Sequence, residues 1–406
     1  MTKTLWDADR AARRALRAIN NDPNLGLEVL ARPQALDSLL KDLLPDSPRE
    51  AAVLVAAAQC DLVGILREHL AQGMDLGTAT RLAAAWFSGR MPFTGGACQW
   101  VVGELAIALG TDPGAIADVT VPDTGEPWTG SASIVLAWGD DDEGETEVPA
   151  DLPVVTAVSA GWYHSLALTA DGHVIAWGSR ADGITSVPAD LAGVTAISAG
   201  QYHSLALTAE GTVAAWGGNG FGQAQAPADL TEVTAIAAGA EHSLAVAGGR
   251  VVAWGGNGCG QAHVPAGLTE VTAVAAGAQH SLALTAGGSV VAWGLHDFGE
   301  TAVPAGLSGV VAIAAGVNHS VALSRSGTAV AWGRTDNGVA VIPPGLGEVT
   351  AISANGTHTL ALTAQGTIVA WGVNDCGECD VPPLPGRAVA VAAGYGHSLA
   401  VAARPS

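Results

Sequence analysis

Positive charge is the scarcest feature of this 406-residue sequence, in which 17 lysines and arginines face 38 aspartates and glutamates, for a formal net charge of −21. Lysine occurs only twice, as Lys3 and Lys41. A surface of this kind repels a phosphate backbone, which argues against nucleic acid as a partner. We expect a protein partner, with a basic patch.

Long apolar runs are missing as well. None approaches the roughly 20 residues that a membrane-spanning helix needs. The segment Met1–Arg14 lacks the apolar core of a secretory signal. The five cysteines are sparse and odd in number, which is typical of reduced thiols. We therefore expect a cytoplasmic protein without membrane contact.

Motifs of catalysis and metal binding are also lacking. The sequence has no nucleophile elbow, phosphate-binding loop or paired-histidine metal helix. Cys376-Gly-Glu-Cys379 supplies only half of a zinc site. Asp140, Asp142 and Gly144 lack the full spacing of a calcium loop. We expect a protein that is not an enzyme and that uses no cofactor and no metal.

One repeated frame is what the sequence has in abundance. Ala-Trp-Gly recurs seven times at steps of 38 or 39 residues, and a histidine and a proline follow the same rhythm. The repeated residues are Trp138, Trp177, Trp216, Trp254, Trp293, Trp332 and Trp371; His164, His203, His242, His280, His319, His358 and His397; and Pro149, Pro188, Pro227, Pro265, Pro304, Pro343 and Pro382. Residues repeated once per unit indicate packing and architecture, so we expect the histidines to bond the neighbouring turn.

Each unit is predicted to contain four short strands, as in residues 194–227. Four-stranded units at this period are typical of β-propeller blades, with a parallel solenoid as the main alternative. Proline has no N–H to donate, so the fourth strand should be outermost, and the first, rich in alanine and glycine, should line the axis. Glycine, or Asn355 in one unit, follows the first strand, which predicts a positive φ there.

The phase of the motifs predicts how the ring closes. The Ala-Trp-Gly at Trp138 has no preceding Ala-Gly-x-x-His motif, and the last such motif, at 393–397, has no Ala-Trp-Gly after it. The two chain halves should therefore share a seventh blade and remove an open sheet edge. The predicted fold is mainly β: a seven-bladed propeller with split-blade closure over residues 132–406.

The first part of the chain differs in pattern. Residues 1–110 show apolar residues at helical spacing and a capping box at Ser47–Glu50, which predicts a small all-α domain. Residues 111–131 are a predicted Pro/Gly/Thr-rich linker. The helical part weakly resembles adaptor modules of bacterial signalling and conflict-system proteins. That resemblance implies a bacterial source and leaves self-association through this domain open.

The repeat itself resembles a known family. "VVAWGGNGCGQAHVPAGLTEVTAVAAGAQHSLAL" at 251–284 is similar to the repeats of the regulator of chromosome condensation family, and in its short form to the beta-lactamase-inhibitory branch. The resemblance covers roughly residues 132–402. It implies a seven-bladed propeller that grips a protein partner with loop aromatics on one face. Inhibition of a beta-lactamase is one alternative that follows from it.

The two residues between Ala-Gly and His vary while the frame is constant. They should form an inner ring on the same face as the loop after Ala-Trp-Gly. Variable residues on a fixed scaffold often carry function, and exposed aromatics are typical interface hot spots. The candidate partner-binding residues are Trp162, Tyr163, Tyr202, Tyr395, the rim residue Phe221, Glu241, and Asp140, Asp141 and Asp142 from a segment with six acids.

Two alternatives compete with this interpretation. The aromatics could be plugs that fill the axial channel instead of a contact surface. The protein could also be an enzyme or a small-molecule binder that uses that channel. The second alternative needs converging titratable groups, and the ring supplies only Glu241.

Overall fold

The computed structural model describes residues 133–403 of the chain. The helical domain predicted for 1–110 and the linker predicted for 111–131 lie outside them. The described residues form 21 β-strands and one short 3₁₀ helix, Ala181–Gly183. In chain order the strands are β1 Ile134–Gly139, β2 Val155–Ala160, β3 His164–Thr169, β4 Val174–Gly178, β5 Val194–Ala199, β6 His203–Thr208, β7 Val213–Gly217, β8 Val233–Ala238, β9 His242–Ala247, β10 Arg250–Gly255, β11 Val271–Ala276, β12 His280–Thr285, β13 Val290–Gly294, β14 Val310–Ala315, β15 His319–Ser324, β16 Ala329–Gly333, β17 Val349–Ala354, β18 His358–Thr363, β19 Ile368–Gly372, β20 Ala388–Ala393 and β21 His397–Ala402.

The strands form seven antiparallel sheets of three strands each. Sheet 1 contains β2, β3 and β4, sheets 2 to 6 take the following strands in threes, and sheet 7 contains β20, β21 and β1. In each sheet the strand that begins with the repeated histidine is the middle strand. It is almost fully buried, as in β3, because neighbouring sheets cover both of its faces. The apolar Leu-Ala-Leu run at the centre of β3 suits a strand that is covered on both faces.

The sheets pack in a closed ring around an axis. The inner strands touch in the order β2, β5, β8, β11, β14, β17 and β20, and β20 returns to β2. They line an axial cavity of about 230 Å³ with small and β-branched side chains such as Val158, Ser198 and Ala276. The prediction that the alanine-rich strand lines the axis is confirmed. The arrangement is that of a β-propeller.

The two ends of the described chain meet in sheet 7. β1 pairs with β21 in antiparallel register from Ile134 opposite Ala402 to Gly139 opposite His397. β21 pairs with β20 on its other side. The outer strand of this sheet therefore comes from the start of the described residues and the other two strands from their end, as the phase of the motifs predicts.

The predicted fourth strand is not present. The proline-containing segments, such as the one ending at Pro149, are turns and irregular chain, and in residues 133–403 they make no backbone hydrogen bond to the outer strands. Proline lacks the N–H that a ladder needs, and these segments are held by side-chain packing instead. Val148 and Leu152, for example, pack on the cluster around Trp177.

Each tryptophan joins its outer strand to the preceding sheet. The indole Nε1 of Trp177 donates to the carbonyl of Glu145 at 2.9 Å, and the other six repeat this bond at 2.8 to 3.1 Å. Every core cluster between two sheets contains one of these buried indoles. An aromatic ring this deeply buried needs a partner for its N–H, which the neighbouring loop supplies.

The seven histidines connect each middle strand to the next one. Nε2 of His164 lies 2.8 Å from the hydroxyl of Ser204, and six equivalent contacts complete the circle. The hydrogen-bond partner of each histidine is thus a hydroxyl in the middle strand of the next sheet, not the neighbouring turn that the sequence suggested. In five sheets that serine hydroxyl donates to a loop carbonyl, so it accepts from the histidine. In these five sheets the imidazole therefore donates from Nε2, and burial, which lowers its pKa to about 3 or about 4, keeps it neutral.

The prediction of a positive φ after the inner strand is wrong. Neither Asn355 nor its six glycine counterparts has a positive φ. Glycine is needed there because of a close approach. A Cβ at Gly161 would lie 2.6 Å from the carbonyl oxygen of Gly200 and 2.6 Å from Cε1 of His164. The crowded axis thus selects the smallest residue.

Candidate functional site

The two loops of each repeat lie at one end of the ring, as predicted. The turn between inner and middle strands accepts a backbone hydrogen bond from the residue after Ala-Trp-Gly in the same sheet. The amide of Ser179, for example, donates to the carbonyl of Tyr163 at 2.8 Å, and all seven sheets have this bond. We call this end the loop face, and the segments after Ala-Trp-Gly the rim loops.

In the rim loop of sheet 2, a buried side chain accepts a hydrogen bond from the backbone of the same loop. The amide of Phe221 donates to Oε1 of Gln223 at 2.9 Å, and the backbone carbonyl of Gln223 accepts from Trp254. The side chain of Phe221 points away from this frame and is 58% exposed. The loop backbone is therefore fixed by buried groups, and the residue at its tip is free to vary.

Four aromatic residues of sheets 7, 1 and 2 form two stacked pairs on the loop face. The ring centroids of Trp162 and Tyr395 are 4.4 Å apart, and those of Tyr163 and Tyr202 are 5.4 Å apart. Tyr395 is 40% exposed. We call these four residues the aromatic patch. It holds all three tyrosines of the chain, and its geometry is the offset stacking that aromatic pairs prefer.

Tyr163 is chemically distinct within the patch. Partial burial, and then a hydrogen bond with Tyr202, raise the pKa of its hydroxyl above the ordinary value. The hydroxyl therefore stays protonated and can donate or accept a hydrogen bond at neutral pH. The patch offers flat apolar rings with a polar edge, which is the kind of surface that a protein partner uses.

Phe221 and Glu241 lie apart from the stacked pairs. The ring contacts found among the described residues do not include Phe221. The carbonyl of Glu241 accepts from the amide of Gly256 in sheet 3, and its carboxylate lies towards that glycine. Both residues lie on the loop face, Phe221 in the rim loop of sheet 2 and Glu241 in the inner turn of sheet 3.

The acidic segment predicted at 140–147 is the rim loop of sheet 7. The amide of Asp140 donates to the carbonyl of Gly396 at 2.9 Å, which places the segment beside Tyr395. Asp141 and Asp142 are exposed. Glu145, in contrast, is buried and accepts from the amide of Glu143, and burial raises the pKa of its carboxyl. Five of the six acids are thus left for the surface.

The axial channel is bridged at the loop face by a residue other than the aromatics. Nδ2 of Asn355 donates to the carbonyl of Ala160 at 2.7 Å and to that of Ala199 at 3.2 Å. These carbonyls end the inner strands of sheets 1 and 2, which lie two and three sheets from sheet 6 around the ring. The aromatic patch does not line the axial cavity, and the residues that do carry no titratable side chain.

Several loop-face features were not singled out from the sequence. The guanidinium carbon of Arg334 lies 4.9 Å from the ring centroid of Phe298, and Arg334 also pairs with Asp336. Asp375 and Asp380 are exposed in the rim loop of sheet 6. An alignment of the rim loops of the seven repeats could have identified these residues, because each occupies a position at which the repeats differ.

The cysteine pair forms no disulfide, and Sγ of Cys379 donates to the carbonyl of Val373 at 3.2 Å. Cys376 and Cys379 are free thiols, and burial raises the pKa of Cys379 to about 12. Residues 133–403 contain no cluster of three or more metal-ligating side chains. In the same part of the chain no helix combines the length and the apolar content that a bilayer span requires.

Comparison with known proteins identifies the repeat. The family model described as the regulator of chromosome condensation (RCC1) repeat matches six segments: 155–183, 194–223, 233–261, 271–300, 310–339 and 349–378. The fold is a repeat propeller, and the six matched segments are RCC1 repeats. No curated protein matches the sequence.

Solved structures agree on the fold. Prp20p from Saccharomyces cerevisiae aligns with a TM-score of 0.60 at 20% identity, over 68% of this chain and 92% of that one. Yeast RCC1 (Prp20) bound to Kap60 aligns with a TM-score of 0.58 at 20% identity, over 68% and 90%. Human WBSCR16 aligns with a TM-score of 0.55 at 20% identity, over 67% and 99%. At this identity the likeness is one of fold.

Proposed function

We propose that this chain is a non-enzymatic protein-binding protein, in which a seven-bladed propeller holds its partner on the loop face. Each of the seven sheets is one blade in this proposal. The contact residues are the aromatic patch together with Phe221, Glu241, the half-buried Asp140 and the exposed Asp141 and Asp142. In this proposal the domain that the sequence predicts at 1–110 serves as an adaptor.

One observation carries the proposal. Trp162 with Tyr395, and Tyr163 with Tyr202, form two stacked pairs across three neighbouring sheets of a scaffold that otherwise repeats. Stacking between sheets pre-organises the rings, so that a partner binds a formed surface and little side-chain entropy is lost. Packing of the sheets does not require these rings, because alanine, glutamine and valine occupy the same positions elsewhere in the ring.

Structural neighbours support a binding role. The report of the Prp20p structure concerns its binding to Gsp1p and histones, and a second structure shows it with Kap60. Protein binding by one propeller of similar fold supports the same role for this chain. Inhibition of an enzyme partner, such as a beta-lactamase, is the narrower form of our proposal. A fall in the partner's own activity on binding would distinguish inhibition from recruitment.

The axial channel gives weaker support to an enzyme or a small-molecule binder. Asn355 bridges the channel at the loop face, and its cavity of about 230 Å³ is lined by alanine, serine, valine and isoleucine besides that asparagine. A catalytic site needs groups that transfer protons or carry charge. None of the lining residues supplies one.

Tyrosine nitration tests the proposal directly, because every tyrosine of the chain lies in the aromatic patch. The full chain would capture its partner from cells of the source organism, and the complex would be treated with tetranitromethane. We expect nitration of Tyr395, the exposed tyrosine, to fall by at least about fivefold in the complex, since a hot spot is shielded from solvent.

Modification of His173 by diethylpyrocarbonate is the matched control. This histidine is exposed in a turn at the opposite end of the ring, so its reactivity should be the same in the free chain and in the complex. Equal tyrosine nitration with and without a bound partner would show that the partner binds elsewhere.

A further inference from the structure

Acidic side chains are concentrated on two adjoining rim loops. Asp375 and Asp380 lie on the loop of sheet 6, and Asp140 and Asp142 on that of sheet 7. The indole of Trp138 in sheet 7 donates to the carbonyl of Glu378 at 2.9 Å and joins the two loops. Segments 373–380 and 140–147 contain no lysine or arginine. We call this region the acidic rim.

The acids of the two loops share one neighbourhood. Acids of both loops act on the thiol of Cys376, because burial, followed by the charges of Asp140, Glu378, Asp375 and Asp142, raises its pKa. The carboxylate of Glu378 is buried and accepts from the amide of Cys376. The amide of Cys376 therefore already has its partner within the loop.

The acidic rim borders the aromatic patch. The backbone bond from Asp140 to Gly396 places the first acid next to Tyr395, whose ring stacks on Trp162. Carboxylates and an exposed aromatic face thus lie side by side. A planar cation can stack on such a ring while its N–H groups reach the carboxylates.

On the side that faces sheet 1, the 140–147 loop lies near a basic side chain. A cleft of about 530 Å³ between the 140–147 loop and sheet 1 is lined by Glu143 and Glu147, but also by Arg180. The chain's own cation faces those two acids. The carboxylates left for an external cation are therefore those on the side of sheets 6 and 7.

We propose that the acidic rim and the Trp162–Tyr395 stack form a docking site for an arginine-bearing segment of the partner protein. This inference rests on the proposed function and names the chemistry of the partner at that surface. A guanidinium matches both halves of the site, because it stacks on aromatic rings and bonds carboxylates with a fork of N–H groups. A lysine ammonium offers only a point charge.

The test uses the full chain and a fluorescent arginine nonapeptide, with a lysine nonapeptide for comparison, at two ionic strengths. The site variant is the triple substitution Asp140→Asn, Asp142→Asn and Asp375→Asn. The matched control, Asp190→Asn, Asp229→Asn and Glu210→Gln, removes the same charge from exposed residues at the opposite end of the ring. The amide side chains keep the size of the acids, and melting temperatures confirm folding.

We expect the site variant to bind the arginine peptide about tenfold more weakly and the control variant less than about twofold more weakly. We also expect the wild type to prefer arginine over lysine, and Trp162→Ala to abolish that preference. Equal losses in both triple variants, or no preference for arginine, would show that only diffuse charge attracts the peptide and would overturn the proposal.

The two proposals fail in different ways. If the captured partner depends on the aromatic patch but binds the site variant at full strength, the arginine site is wrong and the protein-binding function stands. If the partner remains bound when the aromatic patch is removed, the proposed function is wrong.

Discussion

At the scale of single residues, the seven buried histidines dominate the response to acid. Desolvation by burial lowers the pKa of these histidines from 6.5 to about 3 or about 4. Each is neutral in the fold and bound through Nε2 to the next middle strand. In the unfolded chain they take up protons near pH 6.5, so their contribution to stability is complete above that pH and is lost as the pH falls towards 4.

We therefore predict a steep loss of stability between pH 6.5 and 4. Near pH 5 unfolding should take up about seven protons on these histidines, less up to two because the carboxyls of Glu145 and Glu378 have raised pKa values. The free energy of unfolding should then fall by about 7 kcal/mol per pH unit. Denaturant unfolding at closely spaced pH values measures this slope.

Substitution of one histidine isolates the effect. His203→Gln keeps a donor for Ser243 but cannot titrate, so the slope should drop by about one proton. His296→Gln, on an exposed rim loop, is the control and should leave the slope as it is. A wild-type slope near zero over this range would contradict the account of the buried imidazoles.

At the scale of elements, β1 closes the ring. It covers the open edge of β21, and Trp138 and Val135 fill the core on its two faces. Without β1, the N–H and C=O groups along β21 would be free to pair with another chain. The hydrogen bond from the indole of Trp138 to the carbonyl of Glu378, one of the seven that join neighbouring sheets, would also be lost.

Deletion of residues 132–150 from the full chain should therefore cause aggregation and a loss of at least about 4 kcal/mol, the cost of removing a buried tryptophan. A synthetic peptide of residues 133–150 added in trans should restore the melting temperature by pairing with β21. A shortened chain that remains monomeric and melts at the wild-type temperature would show that β1 does not close the fold.

The elements also show what the sequence could predict and what it could not. Periodicity located every strand of the sheets and the sharing of sheet 7, because each depends on local repeats. It wrongly suggested a fourth strand, since a proline-containing segment can pack its side chains without pairing its backbone. The bridge from Asn355 was not foreseeable, because its acceptors lie 195 and 156 residues away in the sequence and the frame shows no signal of that contact.

The sequence also predicted some features of the candidate site and not others. The loop register predicted that Trp162, Tyr163, Tyr202 and Tyr395 share one face, and the structure places them there. Which rings stack on each other depends on the geometry of side chains from neighbouring sheets. The spacing of residues along the chain carries no information about that geometry. The burial of Glu145 was hidden as well, because an acid and a glutamine perform the same structural task at that loop position in different repeats.

At the scale of the whole molecule, near-sevenfold regularity is broken on one face. Buried tryptophans, histidines and serines repeat around the ring, whereas the aromatic patch occupies sheets 7, 1 and 2 and the acidic rim sheets 6 and 7. The regular part holds the scaffold rigid, and the irregular part distinguishes one side of the loop face. A partner would bind off the axis, over the side where the described chain closes.

The most direct test of this central claim measures affinity and stability in the same four variants. Trp162→Ala and Tyr202→Ala should each weaken binding of the captured partner about thirtyfold, on the order of 2 kcal/mol, while melting temperatures shift by less than about 3 °C. Gln279→Ala and Asn318→Ala, across the ring, should change neither quantity. Aromatic variants that melt early yet bind the partner with full affinity would contradict the account, because the four rings would then be core and not contact surface.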